Sequence, residues 1–253
     1  MVINEKNVLV EYNGHDEFVR IPEGVKEIRR SAFEDNEELK EIYLPDSVTR
    51  LDYYAFFGCS SLKKVRLSAN LRIIDKGAFA SCVSLEEIGL PESLEVIGIM
   101  AFADCRSLIS IELPRSLKEI RFSAFEGCSS LQCAEIPDGV KLYSKSLFAL
   151  CSSLRYVRLP RGLTSIGSFC FCGCIGLKEF IIPDGMESIC AYAFYGCKNL
   201  KKAIIPSSIK AIEDTAFHGC AALCDINIPD SIENRDAILS EMQNEEDFPD
   251  LMD

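Results

Sequence analysis

The stretch LKEIYLPDSVTRLDYYAFFGCSS, residues 39–61, is one copy of a 23-residue pattern that repeats along most of the chain. Its proline, Pro45, belongs to a column that runs in steps of 23 from Pro22 to Pro229, and only Ser68 interrupts this column. A gap-free period of this length predicts a small unit stacked on copies of itself. The sequence therefore predicts a solenoid rather than a globule.

Three apolar columns share this period and define the unit. They run from Phe33 to Phe217, from Leu39 to Leu223, and from Cys59 to Cys220 with Asn36 in the first cysteine position. Equal spacings of three residues keep these side chains on one face of a tight helical or 3-10 turn. One unit has too few inward residues to close a core alone, so burial must come from its neighbours.

The other half of the unit has the pattern of extended chain. From Leu39 the apolar residues continue to Ile42 and Leu44, and the last gap of two is the alternation of a β-strand. Pro45 suits the end of that strand because it has no N–H, and a second short extended stretch follows at Val48. Each unit is therefore predicted to contain a strand, a turn, an extended segment and a helical turn.

The combined pattern L-x-x-I-x-L-P-x-x-V-x-x-L-x-x-x-A-F-x-x-C resembles the BspA-like subclass of leucine-rich repeats over about residues 21–232. The resemblance implies a leucine-rich-repeat solenoid of the right-handed, β-rich α/β horseshoe class, with a parallel sheet on one face and short helical or 3-10 turns on the other. Proteins of this family are often cell-surface adhesins or binders of host and matrix proteins. Departures such as Tyr143 and Phe180 in isoleucine columns gather in units five to eight and predict a local change in curvature or packing.

The ends of the chain are expected to cover the exposed rungs. The predicted divisions are an N-terminal β-cap at 1–21, nine repeats at 22–228, and a C-terminal cap with an acidic tail at 229–253. Residues 7–12 alternate like a strand, Asn13 and Gly14 form a hairpin turn signal, and residues 17–21 are the expected partner strand. An N-terminal β-hairpin is therefore predicted.

The repeat fades after Ile232, and two interpretations of the C-terminal segment stay open. Ala237, Ile238, Leu239 and Met242 have the spacing of a short amphipathic helix over the last rung. The residues beyond it form either a frayed acidic tail or a linear binding motif that contains Phe248, Leu251 and Met252.

Charge and hydropathy limit the classes of function. The formal net charge of −12 owes −7 to the segment from Glu233 onward, so the body is mildly acidic and unsuited to nucleic acid. No apolar run is long enough to span a bilayer, so no membrane insertion is expected. The first residues, MVINEKNVLVEY, lack a basic region followed by an apolar core, which predicts a cytoplasmic protein. The cell surface is the alternative that the family resemblance implies.

The 13 cysteines are predicted to be mostly structural. Equivalent residues of the cysteine column lie about 4.8 Å apart with parallel Cβ directions, which suits small buried thiols better than disulfides. The one thiol-dense region contains Cys170, Cys172 and Cys174, with Cys190 and Cys197 one unit on. Structural filling is expected there, and a metal site or a thiol-dependent enzyme near Cys172 is the alternative.

Catalysis has little support in the sequence. His15 and His218 are the only histidines, they lie far apart along the repeat axis, and both are predicted to be solvated surface residues. No glycine-rich phosphate loop or metal motif interrupts the repeat. We expect a non-enzymatic protein without a cofactor.

Recognition is expected on exposed residues of the strand face, whose identity the period does not dictate. The candidates are Tyr43 and Arg66 near a basic patch, Glu112 and Glu135 in an acidic centre, and a mixed zone of Tyr156, Ile181 and Ile204 edged by Arg155, Arg158, Lys201 and Lys202. Exposed apolar and aromatic residues with a cationic rim are typical of protein-binding hot spots, so the mixed zone is the main candidate. The simpler interpretation is an ordinary sheet surface whose β-branched residues stabilise the strands. We hypothesise a scaffold that binds a protein partner, or forms a homodimer, through the mixed zone.

Overall fold

A computed structural model describes residues 1–244 of the protein. These residues form a parallel-sheet solenoid of about ten turns with few helices. Within this range no helix combines the length and the apolar character needed to cross a membrane. The candidate motif residues Phe248, Leu251 and Met252 lie outside the described range.

The strands are short because each spans only one side of a turn. Numbered along the chain, they are β1 Val2–Ile3, β2 Val8–Glu11, β3 Phe18–Arg20, β4 Glu27–Ile28, β5 Glu41–Tyr43, β6 Arg50–Leu51, β7 Lys64–Arg66, β8 Ile73–Ile74, β9 Val96–Ile97, β10 Ser110–Ile111, β11 Glu119–Ile120, β12 Cys133–Glu135, β13 Lys141–Leu142, β14 Tyr156–Arg158, β15 Ser165–Ile166, β16 Glu179–Ile181, β17 Ser188–Ile189, β18 Lys202–Ile204, β19 Ala211–Ile212 and β20 Asp225–Ile226. A 3-10 helix spans Asp214–Phe217, and one α-helix, α1, spans Arg235–Glu241.

The strands form two ladders along the solenoid. The face sheet consists of three successive three-stranded segments, β3-β5-β7, β10-β12-β14 and β16-β18-β20. The side sheet consists of an eight-stranded segment, β1-β2-β4-β6-β8-β9-β11-β13, and a three-stranded segment, β15-β17-β19. Glu41 pairs with Lys64, and Ser165 pairs with Ser188, each exactly one 23-residue period along the chain. The repeat length therefore sets the register, and the predicted parallel sheet is confirmed.

An N-terminal hairpin is present, but its strands differ from the prediction. β2 pairs antiparallel with β1, whereas β3, the predicted partner, pairs in parallel with β5. Val19 and Ile21 precede Ile42 and Leu44 by one period, and all four are buried. Burial of these repeat positions places β3 in the face sheet and overrides the turn signal at Asn13 and Gly14.

The third side of each solenoid coil is a run of tight backbone turns. In unit two, Tyr54 and Gly58 have φ angles of 57° and 70°, and such left-handed residues interrupt a regular helix. The N–H of Cys59 donates to the carbonyl of Phe56, and the N–H of Phe56 donates to the carbonyl of Ala78 in the next unit. These turns therefore form a third ladder between units. A regular 3-10 helix is found only in unit nine among the described residues.

The core is a set of columns that run the length of the solenoid. The phenylalanine rings stack with centroid separations from 5.0 Å, between Phe33 and Phe56, to 5.9 Å, between Phe148 and Phe171. Tyr12 extends this stack at the N-terminal end, 4.8 Å from Phe33. Each ring packs on the rings above and below it, as the repeat pattern predicts.

Helix α1 closes the C-terminal end of the core. The predicted helix is present, and Ile238 is fully buried and Met242 is 3% exposed. Ala237 and Leu239, which were predicted to share its apolar face, are exposed. The prediction of a solvated His218 is wrong, because α1 covers it and places the Glu241 carboxylate against its Nδ1. His15 is exposed, as predicted.

Candidate protein-binding surface

The face sheet presents every second side chain outward. In β16, Phe180 is buried in the core while Glu179 and Ile181 point outward, which is the alternation of a half-buried strand. β16 pairs with β18 so that Ile181 lies directly beside Ile204. Within the segment of β16, β18 and β20, the exposed columns are therefore continuous from one unit to the next.

The apolar part of the mixed zone is exposed to solvent. Ile181 is 65% exposed, Tyr156 is 53% exposed and Ile204 is 37% exposed. Tyr156 and Ile181 line one cleft of about 460 Å³ between β14 and β16, and Ile204 lies next to Ile181 on the other side. The structure thus brings the three predicted apolar residues onto one continuous surface.

The cationic rim divides into paired and unpaired groups. Arg158 contacts Glu135 at 3.5 Å and Asp138 at 3.3 Å, and Lys202 contacts Asp225 at 3.0 Å. In contrast, Arg155 and Lys201 form no ion pair with any described residue. The free positive charge of the mixed zone therefore comes from these two side chains.

Lys178 belongs to the same cationic surface and was missed by the sequence prediction. It lies one period after Arg155 and one period before Lys201, and all three line a second cleft of about 930 Å³. The signal was present in the sequence, because the three residues occupy one column of the repeat. This column precedes the strand, whereas the prediction considered mainly columns within the strand.

The other two candidate zones have different chemistry. The ring of Tyr43 lies between two guanidinium groups, with the Cζ atoms of Arg20 and Arg66 at 4.2 and 4.5 Å from its centroid. Stacking of this kind engages the tyrosine within the sheet rather than leaving it free for a partner. In the acidic centre Glu112 is exposed, and Glu135 is the residue that pairs with Arg158. Neither zone exposes an apolar cluster comparable to that of the mixed zone.

The cysteine ladder is internal and fully hydrogen-bonded. Each ladder Sγ lies 3.1–3.2 Å from the carbonyl oxygen of the phenylalanine 26 residues earlier, as in the contact from Cys105 to Phe79. The same Phe79 carbonyl accepts the N–H of Cys82, so both of its acceptor sites are used. Burial raises the pKa of the Cys105 thiol well above its usual value, which keeps the thiol protonated as a donor.

Cys172 lacks the properties of a reactive thiol. It is 3% exposed, and burial raises the pKa of its thiol to about 12, with a smaller contribution from the charge of Glu126. Since the thiolate is both the nucleophile and the metal ligand, this environment disfavours either chemistry. No group of three or more His, Cys, Asp or Glu side chains in residues 1–244 is arranged to hold a metal ion.

Comparison with known proteins agrees with this architecture. The family model of the BspA-type leucine-rich repeat region matches residues 12–132, 72–192 and 164–238. A leucine-rich repeat protein of T. pallidum is 36% identical, with 70% of this chain and 83% of that chain covered and a TM-score of 0.63. A search of curated proteins found no match.

Two more distant structures share the fold. A leucine-rich repeat protein from Bacteroides ovatus is 24% identical, with 85% of this chain and 82% of that chain covered and a TM-score of 0.58. A leucine-rich repeat protein from Eubacterium ventriosum is 16% identical, with coverages of 96% and 90% and a TM-score of 0.57. From the repeat, the two parallel ladders and the match over most of its length, the chain belongs to the BspA-type leucine-rich repeat proteins.

Proposed function

We propose that this protein is a non-enzymatic interaction module that binds a protein partner through the mixed zone. The observation that carries the proposal is the exposure of Tyr156, Ile181 and Ile204 on one surface beside unpaired cations. The family is consistent with an interaction or adhesion-type module. The proposal places the binding function on one part of one face of the solenoid.

The exposed apolar side chains are the proposed source of the binding energy. Complete burial of an isoleucine side chain is worth about 1.5–3 kcal/mol, and a central aromatic anchor is a frequent hot spot. A partner that covers Ile181 and Ile204 thus removes from water two side chains that the fold itself leaves exposed. Arg155 and Lys201 at the edge would orient such a partner and accelerate its encounter.

The test is a double substitution of the apolar residues. Ile181→Lys with Ile204→Lys should abolish recovery of a partner that co-purifies with the native chain and is identified by mass spectrometry. Ile109→Lys is the matched control, because Ile109 is 48% exposed but lies outside the mixed zone. All three positions are exposed, so the variants should keep the native unfolding midpoint. Equal recovery with the double variant would contradict the proposal.

The proposed setting of this function is the cytosol. All 13 cysteines are free thiols, which supports a reducing compartment. The second candidate is an adhesion-type surface module that binds host or matrix proteins, a role that the family allows. Fractionation of the native cell, followed by detection with antibodies against the chain, separates the two. Protease treatment of intact cells gives a second measurement, since only a surface module is accessible to the protease.

A further inference from the structure

Both sheets are interrupted at the junction between units six and seven, whereas the other interruption of the face sheet, between β7 and β10, leaves the side sheet paired. The face sheet has no pairing between β14 and β16, and the side sheet has none between β13 and β15, all within the described range. The turn ladder continues across the junction, because the N–H of Phe148 donates to the backbone carbonyl oxygen of Cys170 at 2.9 Å. Phe148 and Phe171 have the widest ring separation of the described stack, 5.9 Å. The two units are thus joined on the turn side and open on the strand side.

The sequence explains this opening. Glu119 pairs with Lys141, a step of 22 residues where the other side-sheet pairs of the repeats step by 23, so unit six is shifted by one position. The Ser144 hydroxyl then accepts the N–H of Gly167 at 2.9 Å, in place of a backbone carbonyl. In unit seven, Phe180 fills an isoleucine position and packs against Phe171. These departures lie within units five to eight, where the repeat pattern is least regular.

The opening creates an apolar cleft on the strand face. One wall is formed by Tyr156, Val157 and Leu159, and the other by Phe180, Ile181 and Pro183. The cleft of about 460 Å³ is continuous with the larger cationic cleft, because Arg155 and Glu179 line both. A ligand that lies along this surface therefore meets an apolar wall and a charged wall together.

The cationic wall is a column of like charges. Arg155, Lys178 and Lys201 are related by the repeat, and none forms an ion pair with a described residue. Lys178 and Lys201 are direct neighbours, because the N–H of Lys201 donates to the carbonyl oxygen of Lys178 at 2.8 Å, and like charges at neighbouring positions repel each other. Glu179 is the one acidic side chain in this cleft, so the column retains a net positive charge. A negatively charged ligand relieves the repulsion.

We propose that this junction binds an extended acidic peptide segment of a partner protein. A bulky apolar residue of the segment enters the cleft between Tyr156 and Ile181, and its Asp or Glu side chains lie along Arg155, Lys178 and Lys201. This inference rests on the proposed function and names the chemistry of the partner. A second copy of the chain is a poorer occupant, because a two-fold interface centred on this column places its cations against themselves.

Selection from a random twelve-residue peptide library on the full chain tests the inference. The enriched peptides should carry Asp or Glu next to Phe, Leu, Ile or Trp. Residues 245–253, EEDFPDLMD, also combine acidic and apolar residues and would compete with the library peptides for the cleft. A parallel selection therefore uses the full chain with Phe248→Ser and Leu251→Ser. A selected peptide is then synthesised with a fluorescent label, and its Kd is measured by fluorescence polarisation.

The variants separate the inference from the proposed function. Lys178→Glu with Lys201→Glu should raise the Kd at least about tenfold, and added salt should also raise it, whereas the exposed pair Lys63→Glu with Lys64→Glu should leave it unchanged. Peptides without acidic residues that still lose binding with Ile181→Lys would overturn the acidic-peptide inference and leave the proposed function standing. Peptides that bind all these variants equally would overturn both. Self-association that light scattering detects and Ile181→Lys abolishes would identify a second copy as the occupant and overturn the inference.

Discussion

The cysteine column shows that the burial of a repeat position can be predicted from sequence, whereas its hydrogen bonds cannot. Its period predicted small buried residues, and the burial of Cys105 confirms this. The hydrogen bond from the thiol was not predictable, because its acceptor is the carbonyl of Phe79 in the previous unit. Asn36 occupies the same column in unit one and donates its side-chain amide to the carbonyl of Gly14. The position therefore selects a side chain that can donate as well as fit.

Truncation of one ladder thiol tests this role. Cys105→Ala removes the donor to Phe79 and leaves a small cavity, so the free energy of unfolding should fall by about 1–3 kcal/mol. Urea unfolding followed by circular dichroism measures the change. Cys133→Ala is the matched control, because Cys133 is exposed, and its effect should stay within about 0.5 kcal/mol. Equal effects of the two substitutions would show that neither the hydrogen bond nor the packing of the Cys105 thiol stabilises the fold.

At the scale of elements, the sequence predicted units better than ends and junctions. The spacing of Ile238 and Met242 predicted α1, but not that α1 would bury His218, since that contact joins two distant segments. The turn signal at Asn13 and Gly14 predicts a hairpin strand at β3, but the position of Val19 in the repeat places β3 in the face sheet. In both cases a contact between units decided the structure, and local pattern alone did not reveal it.

Removal of the buried side chain of the C-terminal helix tests the role of α1 as a cap. Ile238→Ala should lower the free energy of unfolding by about 2–4 kcal/mol, because Ile238 is fully buried against the last turn. Hydrogen exchange should show the loss of protection concentrated in unit nine, since each unit contacts mainly its neighbours. Leu239→Ala is the control, because Leu239 is 37% exposed, and its effect should be much smaller. Uniform loss of protection along the chain would contradict a capping role.

At the scale of the whole molecule, the period predicted the fold and the face on which recognition was expected. The exposed residues of the mixed zone could be read from the strand alternation, as Ile181 and Ile204 show. The cleft beside them could not, because it depends on the one-residue shift of β13 and on the loss of pairing between β14 and β16. The exposed residues of regular repeats can thus be predicted from the sequence, whereas a cleft between irregular units can be found only in the structure.

The stacked thiols also predict how the stability of the whole solenoid depends on pH. Burial raises the pKa of the thiols of Cys82, Cys105 and Cys128 from their usual value of 9.0 in the folded chain. Below pH 9 these thiols are protonated in both states, so their contribution to stability is complete. Above pH 9 they ionise only in the unfolded chain, and each should then lower the free energy of unfolding by about 1.4 kcal/mol per pH unit.

Urea unfolding between pH 8 and pH 10.5 under reducing conditions measures this dependence. The wild-type midpoint should change little up to about pH 9 and then fall steeply, because many buried thiols act together. The double variant Cys105→Ala with Cys128→Ala starts from a lower stability but should lose stability with a shallower slope above pH 9, since two buried thiols no longer contribute. Parallel slopes for the two proteins would mean that groups other than the thiol ladder control alkaline unfolding.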